Sequence, residues 1–238
     1  MKILLLGYGK MGKAIEQEAI NKGHEVVLKI GYRNTEELTI ANIQKADVAI
    51  EFSRPEVAFD NIKLCIDAGV PVVSGTTGWL DKMEELKIYC HQKGGAFLYA
   101  SNFSIGVNLF FQFNKILTKL MAPHGQYQPS IEEIHHTQKL DAPSGTAITL
   151  ANGLLENFPD KKSWALSPTD DSEALTITAK RIDKVPGTHA ISWDSEVDSI
   201  EIKHTAHSRK GFVVGALLAA EWMIGKEGCF GMEDVLKK

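Results

Sequence analysis

Two adjacent histidines, His135 and His136, stand just ahead of Lys139, and the run ends on the turn-forming residues Pro143-Ser144-Gly145-Thr146. Histidine gives or takes a proton near neutrality, its unperturbed pKa being about 6.5. Lys139 adds a fixed cation and a second acid. Pro143 disfavours helical geometry at Ala142, and Ser144 is suited to cap the run Ala147-Ile148-Thr149-Leu150-Ala151. Backbone N–H groups in a first helical turn, here those of Gly145 and Thr146, have no intrahelical acceptor, so a carboxylate or phosphate can dock on them. Proton donors beside an anion cradle point to a small acidic substrate. The same residues also allow plainer roles, a structural histidine and a serine that only caps. Neighbours on a strand point to opposite faces, so a regular strand cannot aim both histidines into one pocket. Glu132, Glu133 and Asp141 outnumber Lys139, so the stretch is not a basic patch.

Such residues need a scaffold, and the N-terminal part of the chain supplies a periodic one. The apolar run Ile3-Leu4-Leu5-Leu6 reads as a buried parallel strand, and Gly7-Tyr8-Gly9-Lys10-Met11-Gly12 comes directly after it. Met11, Ile15, Ala19 and Ile20 then repeat at helical spacing. Strand, Gly-x-Gly-x-x-Gly turn and helix make the setting in which glycines let a pyrophosphate approach the backbone at a helix N-terminus. Further strands are expected at 25–30, 48–53, 70–74 and 96–99, with helices at 55–68 and 80–93. This alternation implies a Rossmann-type parallel sheet, whose ligands bind beyond the carboxyl ends of the strands. Gly7, Ser53, Gly75 and Ser101 all fall at such ends. An acid usually closes the second strand and binds the ribose hydroxyls. Here the chain reads Gly31-Tyr32-Arg33-Asn34, and the nearest acids are Glu36 and Glu37. Arg33 carries a planar fork suited to a 2′-phosphate, which predicts that NADPH serves at least as well as NADH.

Beyond Ser104 the pattern changes. Helices are expected at 107–121 and 145–158, and strands at 130–135, 175–181, 189–192 and 199–205, with hairpin-like links such as Pro186-Gly187. The fold class is therefore α/β, with a second α+β domain built on a mixed or antiparallel sheet. An apolar helix at 211–224 and a short one at 232–236 close the chain.

Composition bounds the rest. The 238 residues are 44% hydrophobic and 24% charged, ordinary values for a globular protein, with room for one large or two modest domains. A net charge of −4 argues against a nucleic-acid or membrane-surface binder, so anions must be held by local geometry. Cys65, Cys90 and Cys229 are scattered and odd in number, which fits reduced thiols, and no zinc-type spacing occurs. No metal is expected. The apolar runs are too short for a signal sequence or a membrane span, which predicts a cytoplasmic protein.

The run Glu133-Ile134-His135-His136-x-x-Lys139-x-Asp141-Ala142-Pro143-Ser144-Gly145-Thr146-Ala147 resembles the signature of the dihydrodipicolinate reductase family, also called 4-hydroxy-tetrahydrodipicolinate reductase. Phe52-Ser53-Arg54-Pro55 resembles that family's Phe-Thr-x-Pro segment, with serine for threonine. Gly75-Thr76-Thr77-Gly78 resembles the loop that lines the nicotinamide, and Ser101-Asn102-Phe103-Ser104 the turn into the second domain. The glycine loop is one residue shorter than the commoner Gly-Ala-x-Gly-Arg-Met-Gly form, with Lys10 where arginine is usual. The resemblance spans nearly the whole chain. It implies a dinucleotide-binding domain over 1–103, completed by 209–238, and a substrate-binding and oligomerisation domain over 104–208. NADH or NADPH would reduce a cyclic dicarboxylic imine on the route to diaminopimelate and lysine. His135 matches the proton donor/acceptor and Lys139 the second donor. His136, Ser144, Gly145, Thr146 and Thr77 match substrate-binding positions. Gly7, Tyr8, Gly9, Lys10, Met11, Gly12, Arg33, Phe52, Ser53, Gly75, Thr76, Thr77, Ala100, Ser101, Asn102 and Phe103 are the cofactor-binding expectations. A homotetramer is implied as well. Two other readings share the glycine loop: another reductase of an amino-acid imine, aspartate-dehydrogenase-like, and a nucleotide-sensing regulator without turnover.

Overall fold

The computed structural model of the chain describes residues 1–237. In chain order the elements are β1 (Lys2–Leu6), α1 (Lys10–Asn21), β2 (Glu25–Ile30), α2 (Ile40–Ile43), β3 (Val48–Glu51), α3 (Pro55–Asp67), β4 (Val72–Ser74), α4 (Met83–Lys93), β5 (Ala96–Tyr99) and α5 (Ile105–Met121). Next come β6 (Gln128–His135), α6 (Gly145–Leu155), β7 (Ser163–Leu166), β8 (Ala174–Arg181), β9 (Thr188–Asp194), β10 (Ser199–Thr205), α7 (Lys210–Met223), β11 (Gly228–Phe230) and α8 (Met232–Leu236).

The chain divides into two units, one of Met1–Ile105 with the segment from Lys210 on, the other of Gly106–Arg209. In the first, six parallel strands run in the order β11-β5-β4-β3-β1-β2. Ile3, Leu4, Leu5 and Leu6 are all buried, as expected of a central strand covered on both faces. Pro55 opens α3, where its fixed φ suits the first turn. Gly94, left-handed at φ 59°, ends α4. The strand order reverses between β1 and β3, so the turns after these two strands flank the switch point where such sheets take ligands. The C-terminal segment adds β11 to the edge beside β5, in register Cys229 with Phe97.

The second unit holds a mixed sheet in the order β10-β9-β6-β8-β7. Its central strand β6 is antiparallel to β9 and parallel to β8. Alternation along β6 buries Ile131, Glu133 and His135 on one face. Trp193 and Phe158 pack edge to face in the core, ring centroids 5.2 Å apart.

Three expectations need correcting. Pro186-Gly187 does not close a hairpin, because β6 lies between β8 and β9. A strand parallel to its neighbour needs a crossover, and α6 and β7 supply the path from β6 to β8. The stretch expected to begin a helix at 80 starts as a 3₁₀ turn, Leu80–Lys82, before α4. Strands β7 and β11 were not foreseen, since four and three partly exposed residues at sheet edges carry too little periodicity. Among the described residues no helix is long and apolar enough to cross a membrane.

Trp193 is 0% exposed, and truncating a fully buried tryptophan typically costs about 3–5 kcal/mol. Trp193→Ala should lower the unfolding free energy in urea by that amount, and a loss below about 1 kcal/mol would show the core is not organised around this ring.

Candidate functional site

In the first unit the turns after β1, β3 and β4 converge on Phe52. Gly7 has φ 94°, and a Cβ there would stand 2.0 Å from the Phe52 carbonyl oxygen. A Cβ on Gly75 would lie 2.1 Å from the Phe52 ring, which also packs on Phe103 at 5.5 Å between centroids. Only glycine permits either approach. Gly12 serves the same purpose inside α1, where a Cβ would meet the Gly7 carbonyl oxygen at 2.3 Å. Beneath these turns Glu51 is fully buried and accepts hydrogen bonds from Ser53 N–H at 2.9 Å, Ser74 Oγ at 2.6 Å and Thr76 Oγ1 at 3.0 Å. The Ser53 hydroxyl donates to it as well.

Beside this junction lies a cavity of about 490 Å³, lined among others by Gly7, Tyr8, Gly9, Tyr32, Ser53 and Arg54. That volume lies within the usual ligand-pocket range of roughly 300–1,000 Å³. Gly9 is the N-cap of the twelve-residue α1, and a Cβ on it would meet nothing within 4 Å. An open backbone at a helix N-terminus, next to a cavity of this size, fits a dinucleotide. The other expected cofactor residues are spread around the junction. Thr76 is tied to Ser53 N–H at 2.9 Å and its carbonyl accepts from Trp79 at 2.7 Å. Asn102 accepts from Ser104 N–H at 2.9 Å, Ala100 is buried, and Thr77 and Ser101 are exposed. Met11 packs against the core, Lys10 is exposed, and neither lines the cavity. Arg33 is also exposed and outside the lining, whereas Arg54 and Tyr32 line it together, 5.9 Å apart. Lys29 is held by Glu16 of α1 at 3.0 Å. At the end of β2, Asn34 folds back to accept from Gly31 N–H at 2.8 Å. The carboxylate in the lining is Asp60, from α3.

In the second unit the sequence motif gathers around Glu133, which is 0% exposed. Strand register sets its neighbours: His189 of β9 lies opposite Glu133, and Arg181 of β8 opposite His135. Glu133 Oε2 accepts from the Ser144 backbone N–H at 3.0 Å and lies 3.7 Å from both His135 Nδ1 and His189 Nε2. Its Oε1 accepts from Arg181 Nη2 at 3.1 Å. Arg181 donates in addition to the Lys139 carbonyl at 3.2 Å and the Asp141 carbonyl at 2.6 Å, pinning the loop that carries Lys139. Ser144 caps α6 by accepting from Ala147 N–H at 3.2 Å, and its Oγ stands 3.1 Å from His189 Nε2. Gly145 opens the helix, exposed, with nothing within 4 Å of where a Cβ would sit. Lys139 pairs with Asp141 at 2.7 Å.

Burial pushes His135 below the ordinary histidine value, against the pull of the Glu133 charge, while Lys139 and Arg181 push the same way as burial. His189 is driven down to about 4, chiefly by burial and then by the neighbouring His135. Burial works to raise Glu133, but the hydrogen bonds from Ser144 and Arg181 outweigh it and hold the carboxyl below its usual range. Donor atoms of Glu133, His135 and His189 lie within 4.8 Å of one another. Glu133 and His189 already spend theirs on Ser144 and Arg181, so the cluster reads as a hydrogen-bond hub.

The structure thus brings His135, Ser144 and the Lys139 loop together, with His136 half-buried beside them at the end of β6. Sequence reasoning passed over three residues. Glu133 had a readable signal, since two residues before His135 it must share its strand face. Arg181 and His189 had none, because only strand register delivers them.

The profile described as "Dihydrodipicolinate reductase, N-terminus" matches residues 1–103, and that described as "Dihydrodipicolinate reductase, C-terminus" matches residues 106–236. A 4-hydroxy-tetrahydrodipicolinate reductase from Christiangramia forsetii is 50% identical over 236 residues, covering 99% of this chain and 98% of its own. Among solved structures, a dipicolinate-bound dihydrodipicolinate reductase from Paenisporosarcina sp. TG-14 superposes with a TM-score of 0.80 at 23% identity, covering 99% of each chain. An aspartate dehydrogenase from Thermotoga maritima shares the fold at a TM-score of 0.52 and 12% identity, covering 95% of this chain and 97% of its own.

The buried histidine makes a pH prediction. His189 stays neutral in the fold down to about pH 4, whereas unfolded histidine takes its proton near about pH 6.5. Stability should therefore be complete above that value and fall as pH drops towards 4, by about 3 kcal/mol at most. His189→Gln should flatten this acid slope in urea unfolding measured between pH 7 and 4.5. An unchanged slope would mean that His189 is not the group that titrates.

Proposed function

The chain belongs to the dihydrodipicolinate reductase family, and from that premise we propose that it catalyses the NAD(P)H-dependent reduction of 4-hydroxy-tetrahydrodipicolinate to tetrahydrodipicolinate, on the route to diaminopimelate and lysine. The observation that carries this reading is the arrangement of a titratable histidine, a cationic loop and a capped helix start around Glu133. When bound, the nicotinamide supplies the hydride. The chain supplies orientation and protons. His135 is assigned the proton donor/acceptor role; burial lowers its pKa, so the imidazolium holds its proton loosely and gives it up readily. Lys139 is the second donor and a partner for a substrate carboxylate. Its present partner Asp141 is exposed, so that ion pair is worth little and can be exchanged. Ser144, Gly145 and Thr146 take another carboxylate at the start of α6, where the helix dipole favours negative charge. His136 and Thr77 are further substrate contacts. The open backbone at Gly9 would hold the pyrophosphate, with Gly7 and Gly12 allowing the close packing of that turn, and the turns carrying Ser53, Thr76 and Asn102 the remaining cofactor.

NADPH serves at least as well as NADH in this reading. The turn after β2, Gly31-Tyr32-Arg33-Asn34, carries no carboxylate to repel a 2′-phosphate, and Asn34 accepts from its Gly31 N–H. Arg33 lies just past that strand end, and Arg54 provides a second guanidinium on the cavity wall. A cytoplasmic homotetramer completes the proposal, in keeping with three unbridged cysteines.

Purified protein given NAD(P)H and freshly made synthase product should show loss of nicotinamide absorbance; binding without turnover would favour the regulator. A positioned general acid contributes about 10²–10⁴-fold, so His135→Gln should lower kcat by that range. Lys139→Ala should lower kcat and raise KM, and both variants should still bind NADPH. Near-normal kcat in both would sink the assignment.

Cofactor choice is tested by kcat/KM for the two nucleotides. A preference for NADH of about tenfold or more, roughly 1.4 kcal/mol, would overturn the NADPH reading. Arg33→Ala leaving the ratio unchanged would overturn it as well.

A further inference from the structure

Glu133 touches every part of the motif, yet neither proton transfer nor ligand binding falls to it directly. It is two residues from His135 on the same face of β6, which aims both side chains the same way. One oxygen holds the Ser144 N–H and faces both His135 and His189; the other holds Arg181, which in turn grips the Lys139 and Asp141 carbonyls. The proton-transfer histidine, the lysine loop and the start of α6 are thereby referred to one carboxylate. We propose that Glu133 is a positioning residue for the reduction, fixing the Ser144 turn and the Arg181-held loop and supplying the negative charge that keeps a protonated His135 within reach. The proposal rests on the proton-transfer role assigned to His135.

A purely structural acid would be replaceable by its amide, because glutamine keeps the size and an acceptor for Ser144. The electrostatic part would not survive that change. Five charged or titratable groups face His135. These are Glu133 on its own strand, Lys139 and Asp141 on the loop after it, Arg181 on β8 and His189 on β9. Glu133 and Asp141 favour the imidazolium, Lys139 and Arg181 oppose it, and burial opposes it most. His189 is neutral at working pH, since His135 and burial hold its proton off. Glu133 is the buried acid of the set, and the exposed Asp141 is screened by water and already paired with Lys139. Removing the Glu133 charge leaves two cations and a dry environment around His135.

The test measures kcat and KM against pH for Glu133→Gln, Arg181→Gln and His135→Gln, with NADPH affinity and a thermal melt as controls. Glu133→Gln should lower kcat about tenfold or more and raise KM, and NADPH affinity should hold. The pH at which the protonated donor is lost should fall by about one unit. Arg181→Gln should move the same limb upward, because it removes an opposing cation. Opposite shifts from two partners of one ion pair do not arise from loss of packing. If Glu133→Gln does not fold, Glu133→Asp decides: the shorter acid keeps its charge but cannot reach both Ser144 N–H and Arg181, so kcat should fall, and a kcat within twofold of the parent overturns the proposal. A Glu133→Gln enzyme with kcat within twofold and an unmoved limb overturns the proposal while leaving the His135 assignment intact. Normal kcat in His135→Gln removes the functional reading itself.

Discussion

The second unit is organised by the need to keep one buried carboxylate ionised. Moving a charge from water to the protein interior costs several kcal/mol unless donors and countercharge replace the lost hydration. Glu133 meets that condition with the Ser144 backbone N–H and the Arg181 guanidinium, and two imidazoles stand 3.7 Å away. Each of these belongs to a different segment: the Ser144 turn, β8, the end of β6 and β9. Satisfying the acid therefore folds the site. The geometry of His135 and the placement of the α6 start are by-products of that electrostatic demand.

The first unit surrounds its own buried carboxyl with neutral donors. Glu51, also fully buried, stands at the carboxyl end of β3 and takes hydroxyls from Ser53, Ser74 and Thr76. Two of the turns expected to face the cofactor are thus tied to one acid from below. From above they are fitted together by missing side chains, at Gly7 against the Phe52 carbonyl and at Gly75 against the Phe52 ring. Hydrogen bonds fix the turns and glycines let them touch, which leaves the backbone rather than side chains exposed to a ligand.

Fold alone would not separate this protein from other nucleotide-dependent dehydrogenases, because the parallel sheet and its glycine turn serve many chemistries. What separates it is local: two histidines, a lysine and a serine-capped helix start within one stretch of the second unit. The Lys139–Asp141 pair is one that a carboxylate ligand could enter by exchange. Both partners are charged and one is exposed, so exchanging Asp141 for a substrate carboxylate changes the partner without burying a new unpaired charge.

Much of this was legible in the sequence. Ile3–Leu6 must be a central strand because four successive apolar residues need cover on both faces, and the glycines after it announce a phosphate turn. Pro143-Ser144-Gly145 encodes its own cap, since Pro143 restricts the residue before it and Ser144 serves the helix after it. The His-His-x-x-Lys run likewise grouped a histidine and a lysine-bearing loop that the structure gathers around one carboxylate. These are short-range properties, set by φ preference, side-chain reach and period. Register is not short-range. Nothing within a few residues of His189 or Arg181 says that β9 and β8 flank β6, or that Pro186-Gly187 links strands that never pair. Nor does Arg33 reveal that the cavity wall takes Arg54 from another strand end instead. Those outcomes depend on which strands become neighbours, a choice made by burial over the whole sheet, and so only the tertiary structure decided them.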